Sequence, residues 1–203
     1  MKKYRRILAL ALLLVLFLGG IGIIQNALDQ TEFEDESVVK VEEKTSSEEK
    51  AETVEILKSP VDDSIGIVRY FYNKDDDASK QEQSLILFEN VYRPNLGVDY
   101  ANGNKSFDVT ASISGTVTKK TNDPVLGWIV TVSNDSGIAT TYQSLSEVSV
   151  ELNATVKQGD KIGVSGENIY ESDLKNHLHF ILEKDDVVLN PETYIGKEIS
   201  AIK

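Results

Sequence analysis

The chain has no cysteine. That absence removes disulfides, a thiolate nucleophile and cysteine-based metal sites together. Histidine is almost as scarce, with His177 and His179 the only two in 203 residues. Positive charge is short as well: 21 Lys and Arg stand against 33 Asp and Glu, for a formal net charge of −12. A chain this acidic repels nucleic acid, whose phosphates need Lys and Arg for neutralisation, and no basic stripe appears beyond the extreme N-terminus. A long helical period is also missing after residue 24.

What is present is unevenly spread. Lys2, Lys3, Arg5 and Arg6 precede an unbroken apolar run from Ile7 to Ile24. As a helix, that run is about 27 Å long, close to a hydrocarbon core of about 30 Å. The positive charges lie before the run and acidic residues dominate after it. The positive-inside rule therefore puts the N-terminus in the cytoplasm and the rest of the chain outside. The rival reading is a cleaved signal peptide, whose apolar region is usually shorter and which wants small residues before the cut. Here Gln25 falls where a small residue is needed.

From Asp29 to Leu57 the chain carries eleven acidic and three basic residues. Such a segment buries too little apolar surface to offset its ordering entropy and reads as a self-repelling linker. A short charged helix over Glu42–Glu55 is the alternative. The expected layout is a cytoplasmic tip at 1–6, a transmembrane helix at 7–24, an acidic disordered linker at 25–58 and an extracytoplasmic domain at 59–203, with its core at 92–196.

Beyond Ser59 the pattern turns to short β-branched and aromatic runs. Strands are expected at Ile65–Tyr72 and Ser84–Phe88, with a polar loop at Asn73–Gln83 between them. More are expected at Phe107–Ala111, Thr116–Lys119, Trp128–Ser133, Ala139–Tyr142, Lys161–Val164 and Leu178–Glu183. Turn signals at Asn102-Gly103, Ser114-Gly115, Asn134–Gly137 and Gln158–Asp160 separate them. This spacing implies an all-β sandwich or partly closed barrel. His177 and His179 flank Leu178, and strand alternation places both rings on one face. Two imidazoles about 7 Å apart at Cα form a candidate metal or acid–base pair. Incidental surface histidines are the plain alternative.

Five segments then follow in order. They are Asn95-Leu96-Gly97-Val98-Asp99, Val109–Val117 with Ala111 and Gly115, Thr140-Thr141-Tyr142-Gln143-Ser144-Leu145, Val156–Gly166 with Gly159, Ile162 and Gly163, and His177-Leu178-His179-Phe180 with Asn190-Pro191 after it. Together they resemble the LytM (lysostaphin-like) zinc-endopeptidase family from Asn95 to Ile195. The resemblance implies an all-β fold with the duplicated hybrid motif of that family.

It also implies a site. In active relatives the first motif begins with a zinc-binding His, its Asp is the second ligand, and the last His of His-Leu-His is the third. The middle motif carries a catalytic His, and the first His of His-Leu-His stands beside the metal-bound water. Here Asn95 replaces the first ligand and Ser144 the middle His, while Asp99, His177 and His179 remain. A neutral amide is a weak zinc donor, and a serine is too short and too weakly basic to replace the catalytic His. The expectation is a peptidase-like domain without catalysis and without zinc, with Asp99 and His179 only weak metal candidates. Plain structural readings stand beside this: Asp99 capping the turn at Asn102-Gly103, and both histidines hydrogen-bonding in a vestigial groove.

The anchor, the acidic linker, the Ile65–Phe88 region and the altered motifs are similar to the stage II sporulation protein Q family. That resemblance implies a forespore-membrane scaffold. It would bind a mother-cell membrane protein, stage III sporulation protein AH, across the intermembrane space during engulfment and channel assembly. Sheet edges at Ile65–Tyr72 and Leu85–Phe88 are the expected partner surfaces. The alternatives are a zinc-dependent peptidoglycan endopeptidase with an atypical site and an amidase activator, though the latter usually carries coiled coils that are missing here. A lipoyl-type carrier needs a Lys at a hairpin tip, and Asn134–Gly137 has none.

Overall fold

The structure, a computed structural model, describes residues 54–203. The tip, the membrane span and nearly all of the linker lie outside those residues. Among the described residues no helix is long and apolar enough to cross a membrane.

Twelve strands run in chain order: β1 (Gly66–Arg69), β2 (Leu85–Phe88), β3 (Val91–Pro94), β4 (Val98–Ala101), β5 (Asp108–Thr110), β6 (Gly115–Asp123), β7 (Gly127–Ser133), β8 (Ile138–Val148), β9 (Thr155–Val156), β10 (Lys161–Ser165), β11 (His177–Lys184) and β12 (Val187–Leu189). One short helix, α1 (Ala78–Gln83), interrupts them, and a second, α2 (Pro191–Tyr194), follows β12. The fold is all-β as expected, and the expected strands are present with shifted ends. The segment at Asn73–Gln83 differs from the expected loop, because α1 forms there. Its N-cap, Asp77, accepts from Lys80 N, so local capping decides it.

Ten strands form one sheet in the order β1-β4-β11-β8-β7-β6-β9, with β12 on β11 and β10 joining β8 to β5. β2 and β3 form a separate hairpin. The run Ser84–Phe88 therefore pairs with Val91–Pro94 and not with β1. The two-residue connection explains this: Glu89 and Asn90 both take positive φ, as a tight hairpin turn requires.

The sheet branches at β8. Residues Ile138–Gln143 pair with β11, and Leu145–Val148 pair with β10. Ser144 lies between them at φ 65°, so the strand bends where it changes neighbour. Both branches cover one core, built from Val98, Val109, Ile113, Val130, Leu145, Ile162, Leu178 and Phe180 among others. Tyr142 is fully buried in it yet satisfied: its hydroxyl accepts from Ser112 N at 2.7 Å and meets Thr140 Oγ1 at 3.0 Å.

The folded unit begins before the expected boundary at Ser59. Leu57 is fully buried, its N–H donates to Lys197 O, and Gly196 N donates to Leu57 O. Glu55 O accepts from Ile199 N. The apolar pair Ile56-Leu57 ends the acidic stretch, and burying Leu57 in the core recovers about 1.5–3 kcal/mol, which favours ordering the segment.

Candidate functional site

β4 and β11 are antiparallel neighbours, and their register sets His179 opposite Asp99 and His177 opposite Ala101. Alternation along β11 sends Leu178, Phe180 and Leu182 into the core. His177 and His179 face the other way, into a polar chamber beneath the surface. Both rings are buried. Gly97 makes this approach feasible. A Cβ there would stand 2.5 Å from Phe180 O and 3.0 Å from the His179 ring, so only glycine lets the Asn95–Asp99 turn reach β11.

The chamber contains more charge than the motifs announced. Asp99 Oδ1 accepts from His179 Nδ1 at 2.8 Å. Its Oδ2 accepts from Asn95 Nδ2 at 3.1 Å and lies 3.7 Å from Arg69 Nη1. Glu171, from the loop between β10 and β11, is buried as well. Its Oε1 accepts from Arg69 Nη1 at 3.2 Å and lies 3.6 Å from His179 Nδ1. Its Oε2 lies 3.4 Å from His177 Nε2. Asn168 buttresses this loop, with Oδ1 accepting from Glu171 N at 2.6 Å. Asp173, at the surface, takes Arg69 Nη2 at 2.5 Å.

Asp99 thus sits within β4, bonded inward, and does not cap the Asn102-Gly103 turn. Asn95 is fully buried, and its orientation is fixed by chemistry. Its Nδ2 donates to both Tyr70 O and Asp99 Oδ2, while its Oδ1 accepts from Gly97 N. Flipping the amide would set oxygen against two acceptors. Ser144 stands apart from the charged cluster in its contacts. Its Oγ donates to Gly166 O at 3.3 Å and its N–H to Leu126 O at 3.0 Å.

The charges perturb one another. Burial by itself lowers the His179 pKa, but Asp99 and Glu171 outweigh it and raise the imidazole to about 10. His177 is also raised against its burial, chiefly by Glu171 and by the Lys175 carbonyl, which accepts from its Nδ1 at 2.7 Å. Burial pushes Glu171 up, yet the two histidines overcome this and hold it well below the usual carboxylate range. Burial raises Asp99, against the pull of His179.

Sequence reasoning missed Arg69 and Glu171. Arg69 left one signal, a charge in a β-branched run whose alternation turns it inward. Glu171 left none, since it lies in an irregular loop with no period.

Beside the chamber lies an open groove of about 510 Å³. Ile86, Phe88 and Arg93 of the β2–β3 hairpin form one wall, and Val125, Leu126 and Gln143 line it as well. His179 lines the groove too, so the groove adjoins the charged cluster.

A LytM-type site implies zinc, and the residues do not fit it. Tetrahedral zinc with ligands at about 2.0–2.1 Å sets neighbouring ligand atoms about 3.3 Å apart. Asp99 and His179 stand 2.8 Å apart in a hydrogen bond, and Asn95 at the third position presents its N–H to Asp99 and spends its oxygen on Gly97 N, so it offers no lone pair to an ion. Asp99, Glu171 and His177 do offer one atom each within 4.8 Å of one another. The Arg69 guanidinium stands against two of those three.

Chamber, groove and branched sheet together define a peptidase-like domain, and the sequence pattern of peptidase family M23 matches residues 93–191. The chain is 44% identical over 158 residues to stage II sporulation protein Q of Bacillus subtilis (strain 168), covering 76% of this chain and 56% of that protein. It therefore spans just over half the length of this curated relative. A solved SpoIIQ–SpoIIIAH pore-forming complex contains a chain 44% identical, matched over 74% of this chain and 97% of its own, with a TM-score of 0.71. A second SpoIIIAH–SpoIIQ complex contains one 46% identical, matched over 66% and 96%, with a TM-score of 0.65. This chain belongs to the stage II sporulation protein Q family, a branch of the M23 peptidase fold.

Proposed function

We propose that this protein is a membrane-anchored scaffold of sporulation. Its domain binds the extracytoplasmic part of a SpoIIIAH-type protein across the space between two membranes, and it does not hydrolyse peptidoglycan. The observation that carries the reading is the match to a chain solved in complex with SpoIIIAH, nearly complete over that chain. The chamber supports the second half. Asn95 donates to the Asp99 carboxylate, and Ser144 spends its hydroxyl on Gly166.

Residues 7–24 would hold the protein in the forespore membrane, with 25–54 as an acidic tether. Protease added to intact protoplasts should then remove the domain; a full-length band that survives there but not in lysed cells would reverse the topology.

A β-sheet partner is recruited most directly at an open edge, through main-chain hydrogen bonds. Among the described residues both expected edges have a strand on one side only, β4 beside β1 and β3 beside Leu85–Phe88, but each is four residues long. The longer opening is on β6. β9 covers it only at Gly115 and Thr116, leaving Thr118–Asp123 with β7 on one side and, among the described residues, no strand on the other. We assign the partner strand to that edge.

The test is to mix the full chain in detergent with the SpoIIIAH-type protein of the same cell. Co-elution with saturable binding supports the scaffold. If the two stay separate at high micromolar concentration, or if the chain digests purified cell walls in a chelator-sensitive way, the reading fails.

A further inference from the structure

Two carboxylates, Asp99 and Glu171, are buried almost completely and lie within reach of the same cation. Buried anions are retained only when paired, because the interior solvates them poorly. In a zinc peptidase the metal supplies that positive charge. Here a side chain of the protein stands in the chamber instead.

We propose that Arg69 is a built-in cation that takes the place of the metal ion and closes this site to divalent cations. Its guanidinium reaches three carboxylates: Asp99 at 3.7 Å, Glu171 at 3.2 Å and Asp173 at 2.5 Å. The planar fork suits such multiple pairing and keeps its charge at any physiological pH. The position is set by the sheet, since Arg69 is the register partner of Asp99 across β1 and β4.

The lone pairs of Asp99 are all turned to N–H donors, as this replacement requires. Oδ1 faces His179 Nδ1, and Oδ2 faces Asn95 Nδ2 and Arg69 Nη1. Glu171 is likewise turned to Arg69, His179 and His177. Asn95 belongs to the same arrangement: an amide N–H donates where an imidazole ligand would accept a metal. The strand that carries the plug lies before residue 93, outside the segment matched by the peptidase family. The extension preceding the peptidase-like core therefore has a chemical task, which is to supply a fixed charge to that core.

The corollary is that Asp99, Glu171 and His177 form a latent cation site, uncovered when Arg69 is neutralised. The experiment uses the full chain in detergent, dialysed against zinc chloride and freed of excess ion. Metal content is read by mass spectrometry and the denaturation midpoint is followed with zinc and with chelator. The parent protein should keep no stoichiometric zinc and show no zinc-dependent midpoint. Arg69→Gln should gain affinity by about a hundredfold or more, hold about one zinc per chain, and lose midpoint on chelation. Arg69→Lys should stay metal-free, because it retains a charge. In Arg69→Gln/Glu171→Gln the gain should fall away, since a ligand is lost.

Stoichiometric tight zinc in the parent overturns the proposal. So does an Arg69→Gln protein that is folded by circular dichroism and takes up no more zinc than the parent. If Arg69→Gln is unfolded in chelator, recovery of its fold on adding zinc supports the proposal, and failure to recover overturns it.

Discussion

Arg69 on β1 and Asp99 on β4 are register partners, and their charged groups stand 3.7 Å apart in the interior. Asp99 is in turn bonded to His179 at 2.8 Å, and Arg69 to Glu171 at 3.2 Å. The chamber is thus a closed circuit of opposite charges. Removing one member leaves another buried without its partner.

That asymmetry sets the first expectation. Glu171→Ala should cost about 3–5 kcal/mol, the loss typical of a broken buried pair. Asp173→Asn removes a surface partner of the same arginine, and its cost should stay within about 1 kcal/mol. Arg69→Met combined with Glu171→Leu should cost less than the sum of the two single changes, with a coupling of about 0.5–3 kcal/mol. Urea denaturation of Glu171→Ala, Asp173→Asn, the two single changes and their double measures all three. Equal losses for Glu171→Ala and Asp173→Asn would contradict the buried circuit.

Stability should depend on pH from both sides. The folded pKa of His179 is raised from an ordinary 6.5 to about 10. Its contribution is complete below about 6.5 and fades as pH climbs toward about 10. Asp99, raised by burial, works in the same direction by resisting ionisation. Glu171 is depressed from an ordinary 4.5, so its contribution is complete above about that value and fades as pH falls. The Glu171 and His179 contributions are therefore both complete between about pH 4.5 and 6.5, while that of Asp99 already declines above about 3.8. A denaturation midpoint that rises steadily from pH 6.5 to 10 would refute this sign.

Restoring the two altered motif positions should not restore a peptidase. Asn95→His with Ser144→His leaves Arg69 in place beside Asp99 and Glu171. The double variant should neither hold stoichiometric zinc nor release soluble fragments from purified walls. Wall digestion by that variant would show that the two motif residues alone had silenced the site.

Prolines placed singly from Lys119 to Asn122 test the open edge of β6. Those that remove an amide pointing out of the sheet should weaken the SpoIIIAH-type complex about tenfold or more while leaving the denaturation midpoint near that of the parent. Those that remove an amide bonded to β7 should lower the midpoint as well. Binding indifferent to every one of these prolines would move the interface elsewhere.

The parts of this protein that follow from neighbouring residues were legible in the sequence. Turn residues and alternation located most strands, because period and turn chemistry are local. The spaced glycines carried the fold. Gly97 shows why, since no other residue fits between the first motif and β11. The histidine pair was legible for the same reason, with alternation placing His177 and His179 on one face.

Pairing was decided by the tertiary structure. Local apolar character marked Ser84–Phe88 as a strand, but only the positive-φ turn at Glu89 and Asn90 joined it to β3. The charges in the chamber were further still from local rules. Arg69 and Glu171 are 102 residues apart in sequence, and no period or motif links a strand arginine to a loop glutamate. Their meeting depends on β1 docking against β4 and on Asn168 holding the loop before β11. Alternation put the two histidines on one face, and the resemblance in the ordered motifs implied that Asp99 would join them. Only the folded sheet decided which cation joins them there, because burial makes an unpaired carboxylate costly and register put Arg69 within reach.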